Sequence, residues 1–280
     1  MKNSALRLAW IQMLKPYVAL FRIRLVNSIQ YRAAALGGIF TQFAWGFMLI
    51  LSFMAFYESN PDAFPMTLQQ TISYIWIGQA FLALTMSWAY DYSIFDAIES
   101  GHISYDMVRP MDLYSRWFTT STANRLAMAA LRCIPILVVA LILPEPFRLI
   151  LPGSFSQFGL FVMTLFLGMM VAISMTMLVY VSAFFTISSA GTRMMFAIGM
   201  DFLTGGILPI PFFPAGIRRV MEVLPFGAVR DMPLRIYAGH IYGAELVQSI
   251  ALQVFWLVVL VFIGRVWMHR ALKHVIAQGG

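Results

Sequence analysis

The stretch "GGILPIPFFP", residues 205–214, is as apolar as a membrane segment but carries three prolines behind a pair of glycines. Each proline removes a backbone N–H donor and clashes with the preceding helical turn, so a straight spanning helix cannot form here. Irregular backbone at membrane depth persists only when it is buried in protein or lines a water-filled cavity. The stretch therefore predicts a broken, re-entrant segment that forms a gate or conduit, or else a cap that only packs. The candidate gate residues are Gly205, Gly206, Pro209, Pro211 and Pro214.

The composition surrounding this stretch is that of an all-α integral membrane protein. Of the 280 residues, 60% are hydrophobic and 11% are charged, whereas soluble domains average roughly 45–50% apolar and about 25% charged residues. No polar stretch is long enough for a separate soluble domain, so we expect one transmembrane domain over residues 1–280. The single cysteine, Cys133, excludes an intrachain disulfide and a cysteine metal cluster.

The apolar segments predict six transmembrane helices, the fifth of which stops part-way, at the start of the broken stretch. A polar loop follows the second of them. The sequence "SSAGTR" at 188–193 is predicted to form a tight turn, and residues 205–245 are predicted to form an extracytoplasmic broken-helix region. The predicted spans are 33–56, 71–90, 117–143, 158–187, 194–203 and 246–267.

Residues 8–30 are predicted to form an amphipathic helix that lies in the membrane interface. The alternative is an ordinary N-terminal extension. Three basic residues, Lys15, Arg22 and Arg24, flank its apolar stripe. The stripe consists of Ile11, Leu14, Val18, Phe21 and Leu25.

The net charge of +7 is explained by membrane topology rather than by nucleic-acid binding, since no basic run alternates with aromatic residues. With the N-terminus inside, twelve of the nineteen lysines and arginines fall on the cytoplasmic side and five fall outside. This bias predicts that both termini are cytoplasmic.

Arg265, at the end of the sixth predicted span, is counted with the cytoplasmic residues, and three other charged residues fall inside predicted spans: Arg125 and Arg132 in the third, and Asp201 in the fifth. A charge at the bilayer centre costs about 2.5–3.5 kcal/mol on insertion scales, so such residues face the protein interior and find partners. We hypothesise that Asp201 pairs with Arg125, which has a similar depth. The alternatives are that Asp201 lines a pathway for cationic substrates, or that it only hydrogen-bonds to neighbouring helices.

Taken in order, four features resemble the membrane subunit of an ABC-2-type ATP-binding-cassette exporter. They are a basic amphipathic helix entering the first span through "YR" (31–32), the loop "DAIESGHISYDMVRP" after the second span, the "GGILPIPFFP" stretch, and "LPFGAVRDMPLRIYAGHI" before the last span. The resemblance covers nearly the whole chain.

The resemblance implies a permease that works with a separate ATPase subunit and a second permease chain, the same or different, in a bacterial cytoplasmic (inner) membrane. ATP and magnesium would be bound by the ATPase, since this chain has no G-x-x-x-x-G-K-[ST] motif. It also assigns contact with the ATPase to the cytoplasmic loop 91–116, whose charges suit a soluble partner. The predicted coupling residues are Asp96, Glu99, Gly101, Asp106, Arg109 and Pro110.

Two other classes compete with this interpretation. A secondary transporter or channel-like protein without an ATPase would more often show ten or more spans with internal repeats. An intramembrane enzyme is disfavoured, since the histidines are scattered and neither H-E-x-x-H nor G-x-S-x-G occurs. We therefore predict no catalytic, cofactor or metal residues in this chain. The substrate stays open between lipids, hydrophobic drugs and peptides.

Overall fold

The computed structural model describes residues 2–30, 32–186 and 188–273. Tyr31 and the side chains of Ile11 and Arg32, all used above, lie outside the described part. Within the described residues the chain is all-helical, without strands. The α-helices there are α1 (Lys2–Gln30), α2 (Arg32–Ser59), α3 (Leu68–Ala80), α4 (Leu82–Thr85), α5 (Tyr92–Glu99), α6 (Ile103–Met107), α7 (Leu113–Ile142), α8 (Phe155–Ser182), α9 (Ser189–Leu203), α10 (Ala215–Val223), α11 (Pro225–Val229), α12 (Asp231–Tyr237) and α13 (Gly243–Leu272).

Four helical segments of the described chain are long and apolar enough to cross a membrane. The two other predicted spans are shorter than a regular spanning helix. The segment predicted at 71–90 forms α3 and α4, which are separated at Phe81, and the segment predicted at 194–203 is the 15-residue α9. The four long segments are Leu36–Ser59, Leu113–Ile142, Phe155–Phe185 and Gly243–Leu272.

Helix starts follow local capping chemistry. Thr67 and Gln70 form a reciprocal capping box at α3, and the Asp112 side chain accepts a hydrogen bond from the Ser115 N–H at α7. The predicted tight turn at 188–193 is wrong. The Ser188 side chain accepts from the Ala190 N–H and starts α9 there, so the serine is a cap rather than a turn residue.

Hydrogen bonds divide the loops of the described chain between two ends of the helical bundle. At one end, which we call the proximal end, the Asp112 N–H donates to the Tyr17 hydroxyl at 3.1 Å. The Asp91 N–H donates there to the hydroxyl of Tyr180, near the end of α8, at 2.7 Å. The last turns of α13 reach the same end, because an Arg265 Nη donates to Ser115 at 2.8 Å.

At the opposite, distal end, the loops before α3 and before α8 meet the region before α13. Trp76 Nε1 donates to the Phe147 carbonyl at 2.8 Å, and the Tyr237 hydroxyl donates to the Ile150 carbonyl at 3.0 Å. Gln157 Nε2 donates to the carbonyls at Ile236 and Tyr237 at 3.1 and 2.9 Å. The loops after α2 and α7 therefore share this end with the region before α13.

The core is centred on α8, the most buried of the four long segments. The short helices α11 and α12 pack between α8, α13 and α3. A close approach makes this possible: a Cβ added at Gly168 of α8 would lie 2.3 Å from the Val229 carbonyl oxygen. The broken region is thus inserted into the bundle rather than laid over it.

The N-terminal helix α1 runs beside the polar first half of α7. The Tyr17 hydroxyl lies level with Asp112, and the Ser28 hydroxyl donates to Asn124 at 2.9 Å, so the two helices are parallel. The predicted apolar stripe is divided between two faces: Phe21 is partly buried, whereas Leu14 and Val18 are exposed.

Candidate functional site

The glycine pair at the start of the broken segment ends α9 in a Schellman motif. The Gly206 N–H donates to the Asp201 carbonyl at 2.9 Å, and the Gly205 N–H donates to the Phe202 carbonyl at 3.4 Å. Gly205 has a φ of +78°, a left-handed conformation that favours glycine. A Cβ at Gly206 would lie 2.8 Å from the Asp201 carbonyl oxygen. Both glycines are therefore required by the backbone that stops the helix.

The three prolines occupy positions that need no N–H donor. Pro209 precedes the 3-10 turn Ile210–Phe212, Pro211 lies within its first turn, and Pro214 precedes α10. The segment 207–214 thus folds as a turn and a new helix start.

Asp231, at the start of α12, anchors this segment although sequence reasoning gave it no role. Its side chain is 1% exposed. Oδ1 accepts hydrogen bonds from the Ile210 N–H at 3.1 Å and from the Tyr74 hydroxyl at 3.0 Å. A single buried carboxylate thereby joins α3, α12 and the broken segment.

Arg235 organises the distal end around the same carboxylate. Its Nη1 lies 3.5 Å from Asp231 Oδ2 and 3.1 Å from Glu222 Oε1, and its Nη2 lies 2.9 Å from Glu245 Oε1. Its Nε donates to Nδ1 of His240 at 3.0 Å. The guanidinium therefore links α10, α12 and α13 at one point.

His240 extends this network to the loop after α2, because its Nε2 lies 3.2 Å from the Pro65 carbonyl oxygen. Burial, and secondarily the charge of Arg235, lower the pKa of His240. The imidazole is consequently neutral at pH 7, so Nδ1 can accept from Arg235 while Nε2–H donates to Pro65.

A cavity of about 310 Å³ opens beside the break, between α2, α3 and the end of α9. Asp201 lines it, and its Oδ1 accepts a hydrogen bond from the Ser87 hydroxyl at 3.1 Å. Arg230 also lines it, with its guanidinium against Gly78 and Gly206, where added Cβ atoms would lie 2.9 and 3.3 Å from its Nη atoms. Two glycines thus make room for this arginine.

The hypothesised ion pair between Asp201 and Arg125 is wrong. Arg125 Nη1 donates to the carbonyls of Leu84 and Met86 at 3.0 and 2.9 Å, and Nη2 donates to Thr176 at 3.3 Å. The arginine is held by the carbonyls that the end of α4 leaves without helical partners. The break after α4, which the sequence did not predict, therefore determines where Arg125 points.

Arg132, the second predicted intramembrane arginine, packs on α2. A Cβ at Gly38 would lie 2.6 Å from its Cζ. The absence of a side chain at Gly38 thus makes room for that of Arg132.

The predicted coupling loop 91–116 forms α5, a turn and α6. Gly101 has a φ of +76°, as the turn between the helices requires. Buried Ile94, Phe95 and Ile103 attach the pair to the bundle. The loop is therefore a rigid helical hairpin at the proximal end.

Several charges predicted to meet a partner are used inside the loop. Asp106 pairs with Arg116 at 2.5 Å and with Arg109 at 3.5 Å, and Asp112 caps α7. The exposed charged side chains of the loop are Asp96, Glu99, Arg109 and Asp112.

Three apolar side chains are exposed beside Arg109 and Pro110: Tyr105, Met107 and Val108, the last of which is 83% exposed. We call Tyr105, Met107, Val108, Arg109 and Pro110 the proximal patch. Apolar side chains clustered beside a charge on a rigid element are typical of a docking surface.

Glu99 connects the loop to α9. Its Oε1 accepts a hydrogen bond from the Ser189 N–H at 2.9 Å, and this bond lowers the pKa of Glu99 below its usual value. The other end of α9 carries Asp201 and the Schellman break. One helix thus connects the proximal loop to the cavity.

The basic residues of α1 lie at the proximal end. Lys15 and Arg22 are exposed, and Arg24 Nη1 lies 4.0 Å from Asp91 Oδ2. The helix and the loop therefore share one surface.

From the sequence, Arg230 and Arg235 were only two of the five basic residues predicted to lie outside. A usable signal was the charge density of "VRDMPLR" (229–235) within an apolar, proline-rich region. Charges in such a setting are rarely left to solvent alone.

The sequence was compared with models of known protein families. A profile described as ABC-2 family transporter protein matches residues 43–279, which include most of the cavity lining, the broken segment and the proximal loop. No curated protein matches the chain in sequence.

Proposed function

Because the chain belongs to the ABC-2 family of transporter proteins, we propose that it is the permease subunit of an ATP-binding-cassette exporter. The ATP and magnesium sites lie on a separate ATPase subunit that docks at the proximal end. The complex resides in a bacterial inner membrane, and both termini of this chain face the cytoplasm.

Six membrane passages account for the arrangement of the loops. α3 and α4 together hold about 18 residues, or about 27 Å of helix, close to the roughly 30 Å hydrocarbon core. They lead from the distal end to the proximal end, where Asp91 meets Tyr180. α9 covers only about 22 Å at the same rise, and the broken segment completes its passage.

The proximal patch is the proposed contact with the ATPase. It combines a rigid helical hairpin with exposed apolar and basic side chains, so that a complementary groove can bind it at little entropic cost. The exposed basic face of α1 lies at the same end and extends this contact.

The bond from Glu99 to the Ser189 N–H is the observation that carries the proposed coupling. A shift of the loop on ATP binding displaces the start of α9. Since α9 is one rigid element, the displacement reaches Asp201 and the Schellman break beside the cavity. The chain therefore has a direct mechanical route from the ATPase to the pathway.

A second permease chain completes the pathway. We place it against the side shared by α2 and α9, where Trp45, Met194, Met195 and Ile198 are exposed. The cavity is lined from this side, so the partner would enclose it.

Cysteine labelling tests the six passages. Single cysteines are introduced into a Cys133→Ser background at exposed loop positions, and spheroplasts are treated with a membrane-impermeant maleimide. We expect Asp62→Cys, Glu145→Cys and Tyr242→Cys to react from outside, and Val108→Cys and Gly191→Cys to react only after permeabilisation. External labelling of both inner sites, with Glu145→Cys protected, would instead mean that α3–α4 and α9 do not cross.

Arg109→Glu tests the coupling surface. The reversed charge should abolish ATP-dependent transport while leaving membrane insertion and α6 intact, because Arg109 is exposed and only loosely paired at 3.5 Å. Asp62→Lys, a reversal at the distal end, is the control. Unchanged transport in Arg109→Glu would remove the role of the proximal patch.

A further inference from the structure

The cavity beside the broken segment is lined by a buried arginine that forms no ion pair within the described part of the chain. The Arg230 side chain is 8% exposed and lines the cavity. Its Nε has no hydrogen-bond partner in the part of the chain that the structure describes, and no carboxylate there forms an ion pair with it. Removing an arginine from water without a hydrogen-bonded partner is costly, so this position favours an anionic ligand group.

A negative charge, that of Asp201, lines the same cavity and attracts Arg230 without forming an ion pair with it. Only Oδ1 of Asp201 is occupied by a protein donor, the Ser87 hydroxyl. Two opposite charges that share a small cavity without forming an ion pair match a ligand that carries both signs.

Aromatic and apolar side chains complete the lining. Trp45 is 53% exposed, and Trp88 is also exposed at the cavity. Indole faces attract ammonium groups, most strongly where water is excluded. Leu49, Leu82 and Ile207 supply an apolar surface beside the charges.

We propose that this cavity binds a zwitterionic amphiphile. Its phosphate or carboxylate contacts Arg230, its ammonium group lies near Asp201 and the two tryptophans, and its hydrocarbon chain contacts Leu49, Leu82 and Ile207. As the cargo class of an exporter this assignment rests on the proposed function, but binding requires neither an ATPase nor transport.

Matched short-chain probes test the assignment on the purified full-length chain in a non-ionic detergent. The probes are hexylphosphocholine, hexyl phosphate and hexyltrimethylammonium, which share one hydrocarbon chain and differ in charge, and binding is measured by calorimetry. We expect hexylphosphocholine to bind at least about tenfold more tightly than either singly charged probe, since each of those probes lacks one of the two charge-assisted contacts. Equal affinities for the three probes would overturn the proposal.

Charge variants identify which residue contacts the phosphate and which contacts the ammonium group of the probe. Arg230→Gln should remove the preference for hexylphosphocholine over hexyltrimethylammonium, and Asp201→Asn should remove its preference over hexyl phosphate. Arg219→Gln, an exposed arginine on α10, should change neither ratio. An unchanged ratio in Arg230→Gln, or an equal loss in Arg219→Gln, would contradict the assignment.

A variant at the exposed rim keeps the test valid if Arg230→Gln does not fold. Trp45→Leu should weaken both ammonium-bearing probes by about two- to fivefold and leave hexyl phosphate unchanged, whereas Phe40→Leu, an exposed residue on the same helix, should affect none. A uniform loss for all three probes in Trp45→Leu would overturn the ammonium contact.

Phosphocholine without a chain separates an amphiphile from a free zwitterionic solute. It should bind at least tenfold more weakly than hexylphosphocholine, and equal binding would refute the apolar contact. If binding follows the proposal but no ATPase couples to the chain, the proposed function fails while the ligand assignment stands.

Discussion

Gly168→Ala tests whether the broken region is inserted against α8. The added Cβ would lie 2.3 Å from the Val229 carbonyl oxygen and 3.1 Å from that of Ala228, and both obstacles are backbone atoms. Neither can move without shifting α11. Overpacking of this kind typically costs about 1–3 kcal/mol.

Gly159→Ala on the same helix is the matched control. A Cβ at Gly159 has nothing within 4 Å, so this variant gains only the helix propensity of alanine, about 0.5–1 kcal/mol. Because both variants share that gain, their difference isolates the steric cost of about 1–3 kcal/mol.

Thermal unfolding followed by tryptophan fluorescence in one detergent measures the difference. At roughly 2–4 °C per kcal/mol for a chain near this size, Gly168→Ala should unfold about 2–12 °C below Gly159→Ala. It should also bind hexylphosphocholine more weakly, because Arg230 directly follows the displaced Val229. A Gly168→Ala protein as stable as Gly159→Ala would refute the close packing of α11 on α8.

Three further predictions concern the distal network and the coupling bond. Arg235→Gln should destabilise the protein by about 3–5 kcal/mol in thermal unfolding, because it leaves a buried carboxylate without its partner, whereas exposed Arg219→Gln should change stability by less than about 0.5 kcal/mol. Burial lowers the folded-state pKa of His240, so the unfolded chain binds more protons than the folded chain in acid. The wild-type Tm should therefore decrease as the pH is lowered below about 6.5, and His240→Gln should lack this decrease. Glu99→Ala should preserve folding but reduce the transport obtained per ATP hydrolysed, because the Ser189 N–H loses its acceptor. Full coupling of ATP hydrolysis to transport in Glu99→Ala would contradict the proposed route through α9.

The sequence predicted the class of the fold and the position of its break. The hydrophobic runs located the four long segments within a few residues, and the glycines and prolines of 205–214 indicated where α9 ends. These signals are local, because capping, helix breaking and hydrophobicity depend on neighbours along the chain.

The partners of the charged residues could not be predicted. Depth along a helix suggested that Arg125 would meet Asp201, but depth does not specify which face a side chain occupies. The carbonyls left free at the end of α4 bind Arg125 instead, and that end depends on tertiary packing around Phe81. The position of Arg230 could not be predicted for the same reason, since Gly78 and Gly206, which make room for its guanidinium, come together only in the folded chain.

The structure of the proximal loop was likewise predictable only in part from the sequence. Gly101 and the charges predicted a rigid polar turn, but a sequence alone does not reveal that Asp106 is occupied by Arg116. The exposed contact surface is consequently more apolar than its composition indicated.

The central claim is that this chain depends on a separate ATPase at its proximal end. Affinity purification of the full-length chain from its native membrane, followed by an ATP hydrolysis assay, tests it most directly. We expect an ATP-binding-cassette ATPase to co-purify with the wild type and to be lost when the proximal patch carries Val108→Asp, while distal Tyr242→Asp retains it. A wild-type chain that purifies without any ATPase and still transports hexylphosphocholine into liposomes would contradict the account.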